Sequence, residues 1–427
     1  KLKNVTKLNV TKTCTKVLLL FLKRRYVTTF LVRFTEIISR NLKKNSLFLQ
    51  NTNSQMLLCL IIVVFGFMEN VANGDWWSLG LDQSLLASSA LTADEHPSSQ
   101  KISEMCNSFA GLSNGQRQFC MLHPDHIRVI GIGARNGIRE CQRQFKDRRW
   151  NCSTLDNTTV FGAPVTNFAS RESAFAYAIS SAGVSYAIAR ACSKGHLKTC
   201  GCSRRPRPGN LDRDWLWSGC GDNLEYGLKL SARFVDNPEK DIKNVQHDRR
   251  RSGRSTTSVE ARKMMNLHNN EAGRRVIYKL ARVVCKCHGI SGSCSLRTCW
   301  LQLPPFSEVG EYLKRKYEGA IEVQYARNRR LSTRDSSYVQ PTKDDLVYIE
   351  ASPDFCNHNS SIGSLGTQGR KCNKDSLGTD GCDIMCCGRG YNRYQEVAQE
   401  KCNCRFVWCC HVECDVCNKT LEYYACK

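Results

Sequence analysis

The placement of cysteine constrains this chain more than any other feature. Of 427 residues 26 are cysteine: Cys14 and Cys59 stand alone, twelve run from Cys106 to Cys299, and twelve from Cys356 to Cys426. The last block spends one residue in six on cysteine, a density that marks a disulfide scaffold. A segment that short buries too little apolar surface to hold itself by a core, and each native cross-link contributes about 2 to 4 kcal/mol by restricting the unfolded chain. The division predicts two domains, 106–310 and 356–427, joined by a linker at 311–355 that has no cysteine and includes the polar stretch Asn328 to Asp345.

Compartment follows from the same residues. Disulfides persist outside the cytosol, and N-x-S/T sequons at Asn4, Asn9, Asn151, Asn157, Asn359 and Asn418 matter only in the secretory pathway. Cys402-x-Cys404 and Cys414-x-x-Cys417 resemble pieces of a zinc ribbon, but an even cysteine count behind a signal sequence favours bridges, so no metal is expected. The first methionine, Met56, opens a short apolar run followed by Ala72 and Gly74, a signal peptide at 56–74 with secretion starting the mature chain near Asp75. Residues 1–55 read as upstream leader, and 75–105 as an N-terminal segment. The apolar run Leu57 to Phe67 is too short to span a membrane, which takes about 20 apolar residues. Beyond the leader and signal the chain holds 50 Lys and Arg against 37 Asp and Glu. An extracellular cationic surface points to sulfated glycans and acidic membranes and away from nucleic acid.

Ile127, Ile130, Ala134, Ile138 and Cys141 recur at helical spacing and predict one buried stripe. Ala174 to Ala191 is apolar on nearly all faces, which predicts a central helix. Val276, Leu280, Val283 and Val284 predict a helix running straight into Cys285. Asn266, His268, Asn269 and Asn270 read as local capping groups at a helix start rather than as a catalytic site. Asn237 to Val259, with Arg251 and Arg254 in a basic run, reads as an inserted loop outside the core and a minimal dibasic processing pattern.

That helix leads to the run CKCHGISGSCSLRTCW, in which Cys285, Cys287, Cys294 and Cys299 allow three pairings. The nested one, 285 with 299 and 287 with 294, would pin a hairpin twice and leave Ser291 at its tip, with Gly289 and Gly292 able to take the positive φ of a tight loop. A plain stapled turn carries similar residues. A hydrolase reading of Gly289-Ile290-Ser291-Gly292-Ser293 fails. The last position of a nucleophile elbow is Gly, the elbow sits between strand and helix, and no Asp or Glu is placed to orient His288. No enzyme is expected.

The run closely resembles the signature of the Wnt family of secreted, lipid-modified signalling glycoproteins. The resemblance extends through RRWNCS at Arg148, RESAFAYAISSAGV at Arg171, CGCSRRPRP at Cys200, WLWSGCGDN at Trp215, MNLHNNEAGR at Met265, GTQGRKCN at Gly366 and CCGRGY at Cys386. DWWSLG at Asp75 and DLVYIEASPDFC at Asp345 are most similar to the fifth subfamily, whose signalling is mainly β-catenin-independent. The resemblance implies a palmitoleoyl ester on Ser291 and no other cofactor. It also implies the acyltransferase Porcupine, the carrier Wntless, the cysteine-rich domain of Frizzled receptors, Ror or Ryk co-receptors, and heparan sulfate proteoglycans of the extracellular space and matrix. Glycans are expected on Asn151, Asn157, Asn359 and Asn418.

Under the resemblance, the remaining N-terminal pairs are 141 with 152, 192 with 200, and 202 with 220, while Cys106 with Cys120 rests on proximity and exclusion. The implied C-terminal pairs are 356 with 387, 372 with 382, 386 with 426, 402 with 417, 404 with 414, and the adjacent 409 with 410. This leaves a second tip at 404–414. His288, Gly289, Ile290, Ser291 and Gly292 would form one Frizzled contact, and Phe406, Val407, Trp408, Cys409, Cys410 and Val412 the other. The expected fold is α+β and disulfide-rich: a helical N-terminal domain with a projecting stapled hairpin at 285–299, plus a small cystine-rich β-hairpin domain. The competing reading is an unlipidated basic cystine-rich growth factor or inhibitor that binds sulfated glycans.

Overall fold

The computed structural model describes residues 76–87, 98–109, 111–153, 161, 168–212, 214–240, 256–326, 330–335, 337, 339–359 and 362–427. The expected leader, signal peptide, Asn157 and the centre of the basic insertion lie outside the described residues. Seven helices carry the labels α1 (Ser99–Ser108), α2 (Asn114–Leu122), α3 (Pro124–Phe145), α4 (Arg171–Ser193), α5 (Leu224–Val235), α6 (Thr256–Leu280) and α7 (Phe306–Glu318). Shorter helical turns are left unlabelled.

Helix α4 is the axis of the N-terminal part. It is buried on almost every side, from Glu172 to Cys192, and α3, α5, α6 and α7 pack around it. Its alanines and serines leave room for close crossings, and its neighbours meet it with glycine. A Cβ on Gly273 of α6 would stand 2.0 Å from the carbonyl oxygen of Ala178, and one on Gly227 of α5 would stand 2.6 Å from that of Ser185. Gly133 of α3 and Gly183 of α4 exclude each other's side chains in the same way. The predicted stripe Ile127, Ile130, Ala134, Ile138 and Cys141 is wholly buried on α3. The turn Trp76–Gly80 inserts Trp77 into this core against Phe161 and Tyr177, so the N-terminal tryptophans are structural.

The segment 311–355 is folded, not a linker. Val309, Leu313 and Tyr317 bury one face of α7, with the Tyr317 ring 4.8 Å from that of Phe145. Strands β4 (Ile321–Tyr325), β5 (Leu331–Thr333) and β6 (Val347–Tyr348) follow, in the order β5-β4-β6. Val323 and Val347 pack with Met265 and Ala169 in a second small core. The absence of cysteine here reflects burial of ordinary apolar side chains, which makes a cross-link unnecessary. The described residues fall within one compact unit, Gly74–Lys427.

Asn266, His268, Asn269 and Asn270 lie mid-helix and reach far from their own turn, contrary to local capping. Asn269 donates to Val347 O at 2.9 Å and accepts from Val347 N at 3.0 Å, which satisfies strand β6 inside the core. His268 Nε2 donates to Asp345 O at 2.9 Å, and burial pulls its imidazole pKa below the ordinary value. Asn270 and Arg274 both bond Asp236, Arg274 through two nitrogens at 2.9 and 3.0 Å. The insertion is also narrower than expected. Asn237–Lys240 is a helical turn whose Glu239 accepts from Asn266 at 2.8 Å, and burial raises that carboxyl above its usual range.

The C-terminal part replaces a core with bridges. Among its described residues Cys382, Met385, Cys386 and Cys426 form a small buried cluster. After the short pair β7 (His358–Asn359) and β8 (Ser364–Leu365), a hairpin of β10 (Tyr391–Val407) and β11 (His411–Cys426) rises from this cluster, with β9 (Lys371–Cys372) beside the base of β11. At about 3.3 Å per residue, the hairpin is roughly 50 Å long. Its base is clamped to the helical part: Arg370 donates to Arg149 O at 2.7 Å and Lys146 O at 2.8 Å, and Arg149 donates to Ile384 O at 3.0 Å.

Candidate functional site

The first hairpin begins two residues after α6 ends. Strand β2 (Arg282–Cys287) pairs antiparallel with β3 (Arg297–Gln302), placing Cys285 opposite Cys299. Val283 and Val284 therefore belong to the strand rather than to the preceding helix. The run RVVCKC carries β-branched residues at the point where the helix stops, and these favour a pleated surface. Both Cys285–Cys299 and Cys287–Cys294 are bonded, the nested arrangement.

Beneath the hairpin the run WLWSGCGDN supplies a base. Its strand β1 (Leu216–Trp217) pairs parallel with β3, and the Asp222 carboxylate accepts from Leu303 N at 2.8 Å. Gly219 faces the Trp300 ring, and the Arg297 guanidinium stacks 4.4 Å over Trp215. The strands are thus held on both faces below the cysteines.

At the tip, Ser291 takes φ 55 and ψ 26, a left-handed conformation, and Gly292 follows at φ 77. Gly289, expected to need positive φ, sits at φ −70. It is glycine for space: an added Cβ would be 1.8 Å from Ser293 Oγ and 2.5 Å from Ser293 O. Backbone bonds Gly289 N to Ser293 O and Gly292 N to Gly289 O close the turn. His288, Ser291 and Gly292 are exposed, Gly289 is half-buried, and Ile290 is 92 % exposed. Leu296, missed in the sequence, adds a further exposed apolar side chain beside His288.

The second tip is carried by β10 and β11. Bonds Cys402–Cys417 and Cys404–Cys414 lie just below it, with a bulge between Cys402 and Arg405. Val407 pairs with His411, and Trp408, Cys409 and Cys410 close the turn. Trp408 is 90 % and Phe406 70 % exposed, Val412 is exposed opposite Phe406, and Val407 is half-buried. Val416 and Val397 extend the exposed apolar face down the hairpin. The alternation Val412, Cys414, Val416 was the available signal for the first of them.

One expected bridge is corrected. Cys409 and Cys410 are free thiols with sulfurs 3.3 Å apart, against about 2.0 Å for a bond. Both take positive φ, 71 and 93, to close the tip, and this leaves the sulfurs in contact rather than joined. The other pairs are bonded: Cys106–Cys120, Cys141–Cys152, Cys192–Cys200, Cys202–Cys220, Cys356–Cys387, Cys372–Cys382 and Cys386–Cys426. The sulfurs of Cys372, Cys386 and Cys426 gather closely, but each is spent in a disulfide and is no thiolate ligand. Of the described sequons, Asn359 and Asn418 are exposed and Asn151 is half-buried.

A model of the Wnt family matches residues 108–427. The chain belongs to the Wnt family. It is 49 % identical to human Protein Wnt-5a over 376 residues, 88 % of this chain and 94 % of that protein. Mouse Protein Wnt-5b is 50 % identical over 375 residues, 86 % of this chain and 99 % of that one. These relatives fit the fifth subfamily of Wnt. Among solved structures, one titled human WLS in complex with WNT8A matches with a TM-score of 0.50 and 36 % identity, covering 71 % of this chain and 94 % of that chain. Wnt proteins are signalling ligands, not enzymes.

Proposed function

We propose that this Wnt ligand is secreted, N-glycosylated and acylated on Ser291, and that it grips a Frizzled cysteine-rich domain with both tips. The observation that carries the reading is Ser291 itself, a hydroxyl at a left-handed position on the outermost turn of a doubly bridged hairpin. A membrane-bound acyltransferase of the Porcupine kind needs such a hydroxyl, clear of bulky neighbours. A palmitoleoyl chain contributes about 0.8 kcal/mol per buried methylene, on the order of 10 kcal/mol before ordering costs. That is enough to dominate a receptor contact, yet a single chain holds a bilayer only marginally. A carrier groove is therefore required in transit, and the likeness to a chain solved with WLS supports Wntless in that role.

The second tip supports a second contact. Phe406, Trp408 and Val412 present apolar surface that no core claims, and aromatic anchors of this kind dominate interfaces. Two contacts on one compact unit give avidity through effective concentration. Kinship with Wnt-5a and Wnt-5b supports mainly β-catenin-independent signalling through Ror or Ryk co-receptors, with heparan sulfate proteoglycans holding the ligand in the matrix.

Mass spectrometry of the secreted protein tests the reading, with one C16:1 ester expected on Ser291. Ser291→Ala should keep the disulfides and lose the ester, export and most receptor affinity, while Ser293→Ala should retain them. An ester on Ser293 or Ser295, or active protein without lipid, would overturn it.

A further inference from the structure

A groove of about 800 Å³ runs between α5 and the last turns of α6, ending at Ala281, one residue before the first hairpin. Its walls are unlike either tip. Lys229 enters the groove from α5, Arg275 and Lys279, one helical turn apart, enter from α6, and Arg205 enters from the segment before β1 with its guanidinium donating to the Tyr278 hydroxyl. Leu228, Ala232 and Ala281 contribute apolar floor, and the half-exposed Tyr278 ring lies among them with the Arg205 guanidinium 4.4 Å from its centre.

The groove's acids are already engaged. Glu271 accepts from Arg274 at 3.0 Å, and Asp344 is held by Arg275 and lies 3.8 Å from Lys279. Among the described residues neither Arg205 nor Lys229 has a carboxylate partner within ion-pair distance, so the rim retains cationic charge facing an open groove.

We propose that this groove is a binding site for a sulfated oligosaccharide, with Arg205 and Lys229 taking sulfate groups and Tyr278 lying against a sugar face. Cations entering from separate elements suit a ligand with more than one anionic group, and an aromatic ring over an alkyl floor suits a pyranose better than an acidic peptide backbone. The inference rests on the extracellular reading above only for the source of the polyanion. Binding in vitro requires neither the acyl ester nor a receptor, so Ser291→Ala protein serves equally and separates failure of one reading from failure of the other.

The test compares full-chain protein carrying Arg205→Glu and Lys229→Glu with a control carrying Lys101→Glu and Lys194→Glu, two exposed lysines elsewhere, for the same change in charge. The probe is a heparin dodecasaccharide, titrated at several salt concentrations. The groove variant should bind about tenfold or more weakly, and its dependence of log K on log salt should be shallower by about two, one counterion for each lost contact. The control should change less than about twofold. Tyr278→Ala should weaken binding with an unchanged salt slope. Lys229→Ala, at an exposed position, supplies a mild variant if the double substitution misfolds, and should lower affinity with a slope shallower by about one. Equal losses in groove and control variants would reduce the site to diffuse charge and overturn it. So would equal binding of desulfated oligosaccharide, or displacement by polyglutamate at equal charge.

Discussion

Gly289 and Ser293 face each other so closely across the first tip that a side chain at the first position meets the main chain of the second. The Gly289 amide donates to Ser293 O at 2.8 Å, and a Cβ on Gly289 would stand 2.5 Å from that same oxygen. The clash is with main chain, which cannot rotate away as a serine hydroxyl can.

Gly289→Ala should therefore open the turn while Cys287–Cys294 still forms. The expected result is full oxidation of the bonded cysteines with a fall in ester on Ser291, read by intact mass. Gly195→Ala is the comparison: its φ is +69 but nothing lies within 4 Å, so it should cost only about 1 to 2 kcal/mol and leave acylation unchanged. Full acylation of the Gly289 variant would refute the steric account.

Trp408→Ala removes a side chain that is 90 % exposed, so stability should change by no more than about 0.5 kcal/mol. Binding to a Frizzled cysteine-rich domain should weaken by about 2 kcal/mol, more than tenfold, mainly through a faster off-rate. Unchanged affinity would mean that the acylated loop acts alone.

Asn269→Leu should destabilise the protein by about 2 to 5 kcal/mol, because it orphans the buried N–H and C=O of Val347 without replacing either bond. Asn269→Asp keeps the acceptor and loses the donor, and should fall between. Secreted yield and urea midpoints check the order, and a neutral leucine variant would sink it.

Alkylation of unreduced protein should label no described cysteine except Cys409 and Cys410, since the other 22 are bonded. A label on Cys106 or Cys120, the pair placed by exclusion in the sequence, would show a different framework.

These residues also mark where sequence reasoning reached and where it stopped. The all-round apolar character of Ala174 to Ala191 is a periodic signal and located the central helix. The nested cysteines located the first tip because close pairs leave few ways to close a loop. Burial of α7 was present in the spacing of Val309, Leu313 and Tyr317 but was outweighed by the polar, cysteine-free run after it. The bonds of Asn269 to Val347 span 78 residues, and no local pattern reports a partner that distant. At Cys409 and Cys410 the family resemblance implied a bond, while the backbone of the turn leaves the two thiols free.

The contact between Gly273 and Ala178 lies deep among the helices. Yet α6 continues through only a short connection into β2, so the depth at which Gly273 seats against α4 sets where the whole hairpin stands. A slip of one helical turn would carry Ser291 about 5.4 Å along the helix axis, more than the thickness of an acyl chain. A glycine with no chemistry of its own therefore serves as the alignment datum for Ser291. Variants at Gly273 that still fold should be read as errors of aim rather than as losses of reactivity.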